Sequence, residues 1–269
     1  VKFFSLVFVF LTLTKLTSIL SIDDLGKYFI ISNYIILAVF FSKYGIEFSL
    51  VRDTTFYESL KKNYIKLINE YGIFIFFSSI ASLLLFCYFI KSYSWLSQFN
   101  TLTFFAIFFL GIFSNTALIM NSEILKGQDR VFLSSIAGSF LQPFIFYISV
   151  LYLVFFNYLN FYNAYKFFAF SFFVFLIIFI FFISFKFLKY IEKVNLTFTY
   201  KDIFVRNKKL FLVDLSYFFL GTFDIMLLSF FYSTSKIATY SIFVKIGSIL
   251  LFILLISDQV SHQKYKILS

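Results

Sequence analysis

The chain consists largely of long, unbroken apolar runs, and that feature removes most folds. Eight stretches reach or approach the ~20 residues a helix needs to cross a bilayer core: about 3–20, 28–51, 70–90, 101–121, 131–154, 164–186, 210–232 and 238–257. Membrane-spanning strands are a poor alternative, because these runs do not alternate and far exceed the ~10 residues of a barrel strand. Only 13% of residues are charged, against about 25% in an average soluble domain. The expectation is therefore an all-α polytopic membrane protein with about eight transmembrane helices. The first run has only Lys2 before it, contains Lys15, and is followed by no small-residue cleavage site. It reads as a span rather than a signal peptide.

Basic residues in alternate connections set the orientation. One set holds Lys2; Arg52, Lys61, Lys62 and Lys66; Lys126 and Arg130; seven between Lys186 and Lys209; and Lys264 and Lys266, sixteen in all. The other set holds only Lys27, Lys91, Lys166 and Lys236. This asymmetry places both ends of the chain in the cytoplasm. It also accounts for the net charge of +10 through topology, so no nucleic-acid partner is expected. The 48 phenylalanines and 19 tyrosines are read as the mark of an AT-rich genome, not as an aromatic cage. One cysteine, Cys87, and one histidine, His262, leave no disulfide framework and no expected metal site. No loop is large enough for a soluble catalytic domain, and an enzyme is not expected. The longest connection, 187–209, is strongly basic, as a cytoplasmic linker should be; an amphipathic helix on anionic lipid is the alternative.

The exceptions to apolarity fall in stripes. Asp214, Tyr217, Gly221 and Asp224 in the seventh run fall within about an 80° arc at 100° per residue. Ser241, Lys245 and Ser248 share a face of the eighth run, Asn33, Tyr44 and Glu47 one of the second with Lys43 at its edge, and Ser5, Thr12 and Lys15 one of the first. Gly111, Ser114, Asn115 and Ser122 do the same in the fourth. Such stripes cannot face lipid, so they line helix interfaces or a wet cavity. For serines and glycines, packing suffices. For the ionisable residues, an interhelical ion pair competes with a transport pathway. At 1.5 Å per residue, Lys15, Lys245 and Asp224 all lie about 4–5 Å outside the bilayer centre. Lys43, Glu47 and Asp214 form a second, inner layer.

Four stretches carry a family resemblance: LGKYFIISNYIIL (25–37), YGIEFSLVRDTT (44–55), EILKGQDRVF (123–132) and FDIMLLSFFYSTSKIATYSIFVKI (223–246). In order and spacing the chain resembles the lipid-linked oligosaccharide flippases of bacterial O-antigen, capsule and exopolysaccharide assembly. These belong to the multidrug/oligosaccharidyl-lipid/polysaccharide exporter superfamily. The resemblance implies two six-helix lobes related by a pseudo-two-fold axis. A 212-residue shift aligns Ser21 with Ser233, Tyr28 with Tyr240, Ile30 with Ile242 and Asn33 with Lys245. Residues 1–186 would then form one lobe, 187–209 the linker, and 210–269 the first two helices of a second lobe. On this reading the chain is a truncated member, not expected to be active alone.

The function so implied is translocation of an undecaprenyl-diphosphate-linked oligosaccharide across the bacterial inner membrane. Lys15, Asn33, Lys43, Arg52 and Lys245 are the candidate cavity residues for the anionic head group. Glu47, Asp214 and Asp224 are candidates for charge balance or coupling to H+ or Na+, with Asp224 facing the cavity and balancing Lys15 or Lys245. No cofactor is expected. Membrane lipid, a polysaccharide polymerase and a chain-length regulator are the implied partners. The competing readings are a membrane polymerase or ligase, which would need a large external loop that is missing here, and a drug exporter of the same superfamily.

Overall fold

The computed structural model describes residues 2–59, 65–90, 101–187, 200–221 and 223–247. Among these residues the chain is helical throughout, without strands. The helices are α1 (Lys2–Ile19), α2 (Ile22–Lys43), α3 (Ile46–Ser59), α4 (Ile65–Ile90), α5 (Thr101–Gly127), α6 (Val131–Ser135) and α7 (Leu141–Phe155). They continue with α8 (Phe161–Phe187), α9 (Tyr200–Gly221), α10 (Phe223–Phe231) and α11 (234–247). Among the described residues, four segments are long and apolar enough to cross a membrane: Ile22–Lys43, Glu70–Cys87, Leu102–Gly127 and Val131–Phe155.

Helix α2 is the centre of the molecule. Its apolar window is 78% buried, against 17% for that of Val131–Phe155, so neighbours surround α2 while the latter turns most of its side chains outward. Helices α1, α4, α5, α8 and α10 pack around it, and Phe29, Ile35 and Ala38 are sealed in the resulting core. Polar residues set its start. The Ser21 side chain accepts from the Asp24 N–H, and Asp23 and Asp24 occupy the first turn, where carboxylates favour the positive end of the helix dipole.

The second apolar run is not one helix. The stretch expected to be continuous over 28–51 breaks after Lys43, because Tyr44 adopts the left-handed conformation (φ 43°) and Gly45 follows at φ 69°. A β-carbon on Gly45 would stand 2.7 Å from the Phe211 nitrogen, so both the dihedral and the approach of α9 demand glycine. The Tyr44 ring packs between Phe204 at 4.1 Å and Phe211 at 4.6 Å, which fixes α9 against the break.

The fifth run is also irregular. Between α6 and α7 the chain makes a π-helical turn, Ile136–Phe140. Pro143 is the cause: it lacks the N–H that would bond the Ser139 carbonyl, and its ring crowds that oxygen. The orphaned carbonyl accepts instead from the Ser5 hydroxyl of α1, at 2.6 Å.

The seventh run is described as α9 and α10, with residue 222 outside the described residues, and α9 already includes Tyr200, so the latter part of the predicted linker is helical. Lys189 and Lys193 lie outside the described residues, as do the end of the eighth run and His262.

Candidate functional site

Lys43 ends α2, and Glu47 lies in the first turn of α3. Each is thus favoured by the helix dipole it sits on. The break at Tyr44–Gly45 folds the two together, with Lys43 Nζ 3.0 Å from both Glu47 oxygens. Asp214 of α9 approaches from the other side, its Oδ2 2.7 Å from the same ammonium. The three side chains are only 15%, 20% and 11% exposed. The ammonium also lies 5.5 Å from the Phe40 ring centre, and Glu123 of α5 adds a further carboxylate to the field at Glu47. The structure therefore brings together the three residues read as an inner layer. One lysine is shared by two carboxylates, so a cluster of these three ions carries a net charge of −1.

A second clasp lies nearby. Asp53 Oδ2 accepts from Arg206 Nη2 at 2.6 Å and from the Tyr71 hydroxyl at 2.9 Å. Arg206 also donates to the Tyr71 oxygen at 2.8 Å. This ties α3, α4 and α9 into one joint. Sequence reasoning missed Asp53 because the second run was ended at residue 51, which left Asp53 in a loop. The Val-Arg-Asp stretch holding Asp53 was the only signal. Arg52, expected to face an anion in the interior, is instead 60% exposed and binds Asp53 Oδ1 from outside, at 3.1 Å.

About ten residues along α2 from Lys43, or about 15 Å at 1.5 Å per residue, is a small, mostly apolar pocket of about 120 Å³ with a few polar groups in its wall. Asn33 and Lys245 both line it, with Thr12, Ser32 and Gln142. Lys245 Nζ lies 5.7 Å from the Phe29 ring centre. Asn33 donates to the Phe29 carbonyl at 2.8 Å, and Gln142 to the Ser171 hydroxyl at 3.2 Å. Gln142 was not foreseen; its place beside Pro143 in a helical run gave little hint that it faces α2. At about 30 Å³ per water, the pocket holds roughly four waters. A sugar does not fit it in this conformation.

The aligned pair Asn33 and Lys245 thus meets at one pocket. The aligned serines also occupy equivalent places, Ser21 immediately before α2 and Ser233 immediately before α11. The two helix starts touch. A β-carbon on Gly26 would lie 2.0 Å from the Thr234 carbonyl oxygen, and Thr234 donates to Asp23 at 2.8 Å.

Lys15 and Asp224 do not join this pocket. Lys15 is exposed on α1, although Thr12, one turn earlier, is buried and lines the pocket. Asp224 accepts from the Ile225 N–H at 2.7 Å and from the Tyr240 hydroxyl. Neither Lys15 nor Lys245 is among its partners. Its carboxylate is engaged locally, by the N–H of the next residue and by Tyr240 of α11. Among the described residues no three histidine, cysteine, aspartate or glutamate side chains gather as a metal site.

No protein-family model matches the chain, and no curated protein and no solved structure matches it either. Fold and site together define a chain that, among the described residues, is helical, has four segments fit to cross a membrane, and encloses ionic groups between its helices.

Proposed function

We propose that this chain is a polytopic protein of the bacterial inner membrane that takes part in moving a lipid-linked oligosaccharide between leaflets. Its eight apolar runs are read as eight spans with both ends cytoplasmic. The four long apolar helices support this, as do large outward-facing side chains such as Phe3, Leu102, Phe132 and Phe155.

The observation that carries the reading is the ion cluster of Lys43, Glu47 and Asp214. It joins the end of α2 to α9 across the seam between the first-lobe and second-lobe helices. A lysine between two carboxylates is a natural place for coupling. Protonating one carboxylate, or placing a cation beside it, loosens one arm of the clamp while the other holds. The pocket of Asn33 and Lys245 is the proposed contact for an anionic group, opening further when the lobes move. H+ and Na+ are the coupling ions this chemistry suits.

Complementation tests the reading. In a strain lacking the gene, the wild-type gene should restore surface polysaccharide, whereas Lys43→Ala and Lys245→Ala should not, with protein levels matched by immunoblot. Normal polymer in both variants would sink the proposal.

A further inference from the structure

A groove of about 640 Å³ runs along α4, apart from both polar sites. Its floor is made of small residues, Ser78, Ala81 and Ser82, and its walls include Phe41, Phe77 and Leu85. The floor hydroxyls do not make it polar. Ser78 donates to the Ser42 carbonyl at 2.7 Å, and Ser82 is buried. From Phe74 to Leu85 the groove follows eleven residues, about 16 Å at 1.5 Å per residue. That matches one leaflet, about half of a ~30 Å hydrocarbon core.

The groove has one basic end. Tyr44, Phe74 and Phe204 form its rim there. Lys208, one helical turn beyond Phe204 on the same side of α9, is exposed. Lys209 next to it is exposed as well. The carboxylates of Glu47 and Asp214 are engaged by Lys43, and that of Asp53 by Arg206 and Tyr71. An apolar slot one leaflet long with, among the described residues, lysines near one end is complementary to an anionic amphiphile.

We propose that this groove binds one acyl chain of an anionic phospholipid of the cytoplasmic leaflet, with its phosphate beside Lys208. The site rests on the membrane part of the proposed function but not on oligosaccharide transport. Release of the chain from membranes only by detergent tests that part separately.

The measurement is native mass spectrometry of the full chain in mild detergent, loaded with phosphatidylglycerol or phosphatidylcholine of identical acyl chains. Phosphatidylglycerol should be retained about fivefold better, the factor expected for one lysine beside an anionic head group. Ala81→Trp, which fills the floor, should abolish retention of both lipids, and Lys208→Glu should erase the preference alone. Leu84→Trp, on the exposed side of α4 and outside the groove, should change neither. If Ala81→Trp does not elute as a folded species, Ala81→Leu serves as the smaller filling. Equal retention of the two lipids by the wild type overturns the proposal. So does unchanged retention in the filled variants, or no retained lipid at all, which would mean that the chain itself or a second copy covers the groove.

Discussion

Lys43 answers to two carboxylates that come from different parts of the chain, so its removal should be felt by both. Taking one partner from a buried ion pair leaves uncompensated charge and costs about 3–5 kcal/mol. Lys43→Ala should therefore lower the unfolding midpoint of the detergent-solubilised protein markedly. Adding Asp214→Asn should recover part of that loss by removing the repulsion with Glu47. If the double variant is no better than the single one, the two carboxylates do not share the lysine. Gly45 gives a second check. Gly45→Ala should destabilise by about 1–2 kcal/mol or more, since its left-handed φ and the Phe211 contact both oppose a β-carbon. Gly72→Ala, with nothing within 4 Å of the added atom, should be neutral or mildly stabilising.

Helices tell where the sequence was legible. Continuous apolar runs located the helical segments well, because hydrophobic length is a property of the residues themselves. The interruptions were not visible in the same way. The break after Lys43 depends on α9 lying against Gly45, and the π-turn before α7 depends on α1 lending a hydroxyl. Both are tertiary facts. Asp224 shows the consequence. Read as a buried charge in need of a lysine, it is held instead by Tyr240 of α11 and by a backbone N–H, contacts that a pattern of apolar residues does not display. The inner layer of Lys43, Glu47 and Asp214 was legible for the opposite reason. Charges scarce enough to be noticed, at one depth in an apolar chain, have few partners except each other.

The π-turn supplies a prediction of its own. Ser5→Ala should cost about 1–2 kcal/mol, because it leaves the Ser139 carbonyl without a donor. In a Pro143→Ala background the restored backbone N–H can take that role, and the same substitution should then cost far less. Strict additivity of the two changes would show that Pro143 is not why Ser5 is needed.

Across the whole molecule, the ordering of charge predicts sidedness. With Cys87 replaced by alanine, a single cysteine at Asp129, in the turn between α5 and α6, should be shielded from a membrane-impermeant thiol reagent in intact cells. One at Asn157, in the turn between α7 and α8, should react. Reaction at both sites would refute the eight-span orientation. The side-chain joints of Lys43, Glu47, Asp53 and Tyr71 with Asp214 and Arg206 tie α9 to α2, α3 and α4.

The transport proposal is tested most directly by the sidedness of lipid-linked oligosaccharide in spheroplasts of a strain lacking the gene. With the wild-type gene restored, the oligosaccharide should become accessible to an added, membrane-impermeant glycan-modifying enzyme. With Lys43→Ala it should remain in the cytoplasmic leaflet. Equal accessibility with and without the gene would contradict the proposed function, whatever the state of the ion cluster.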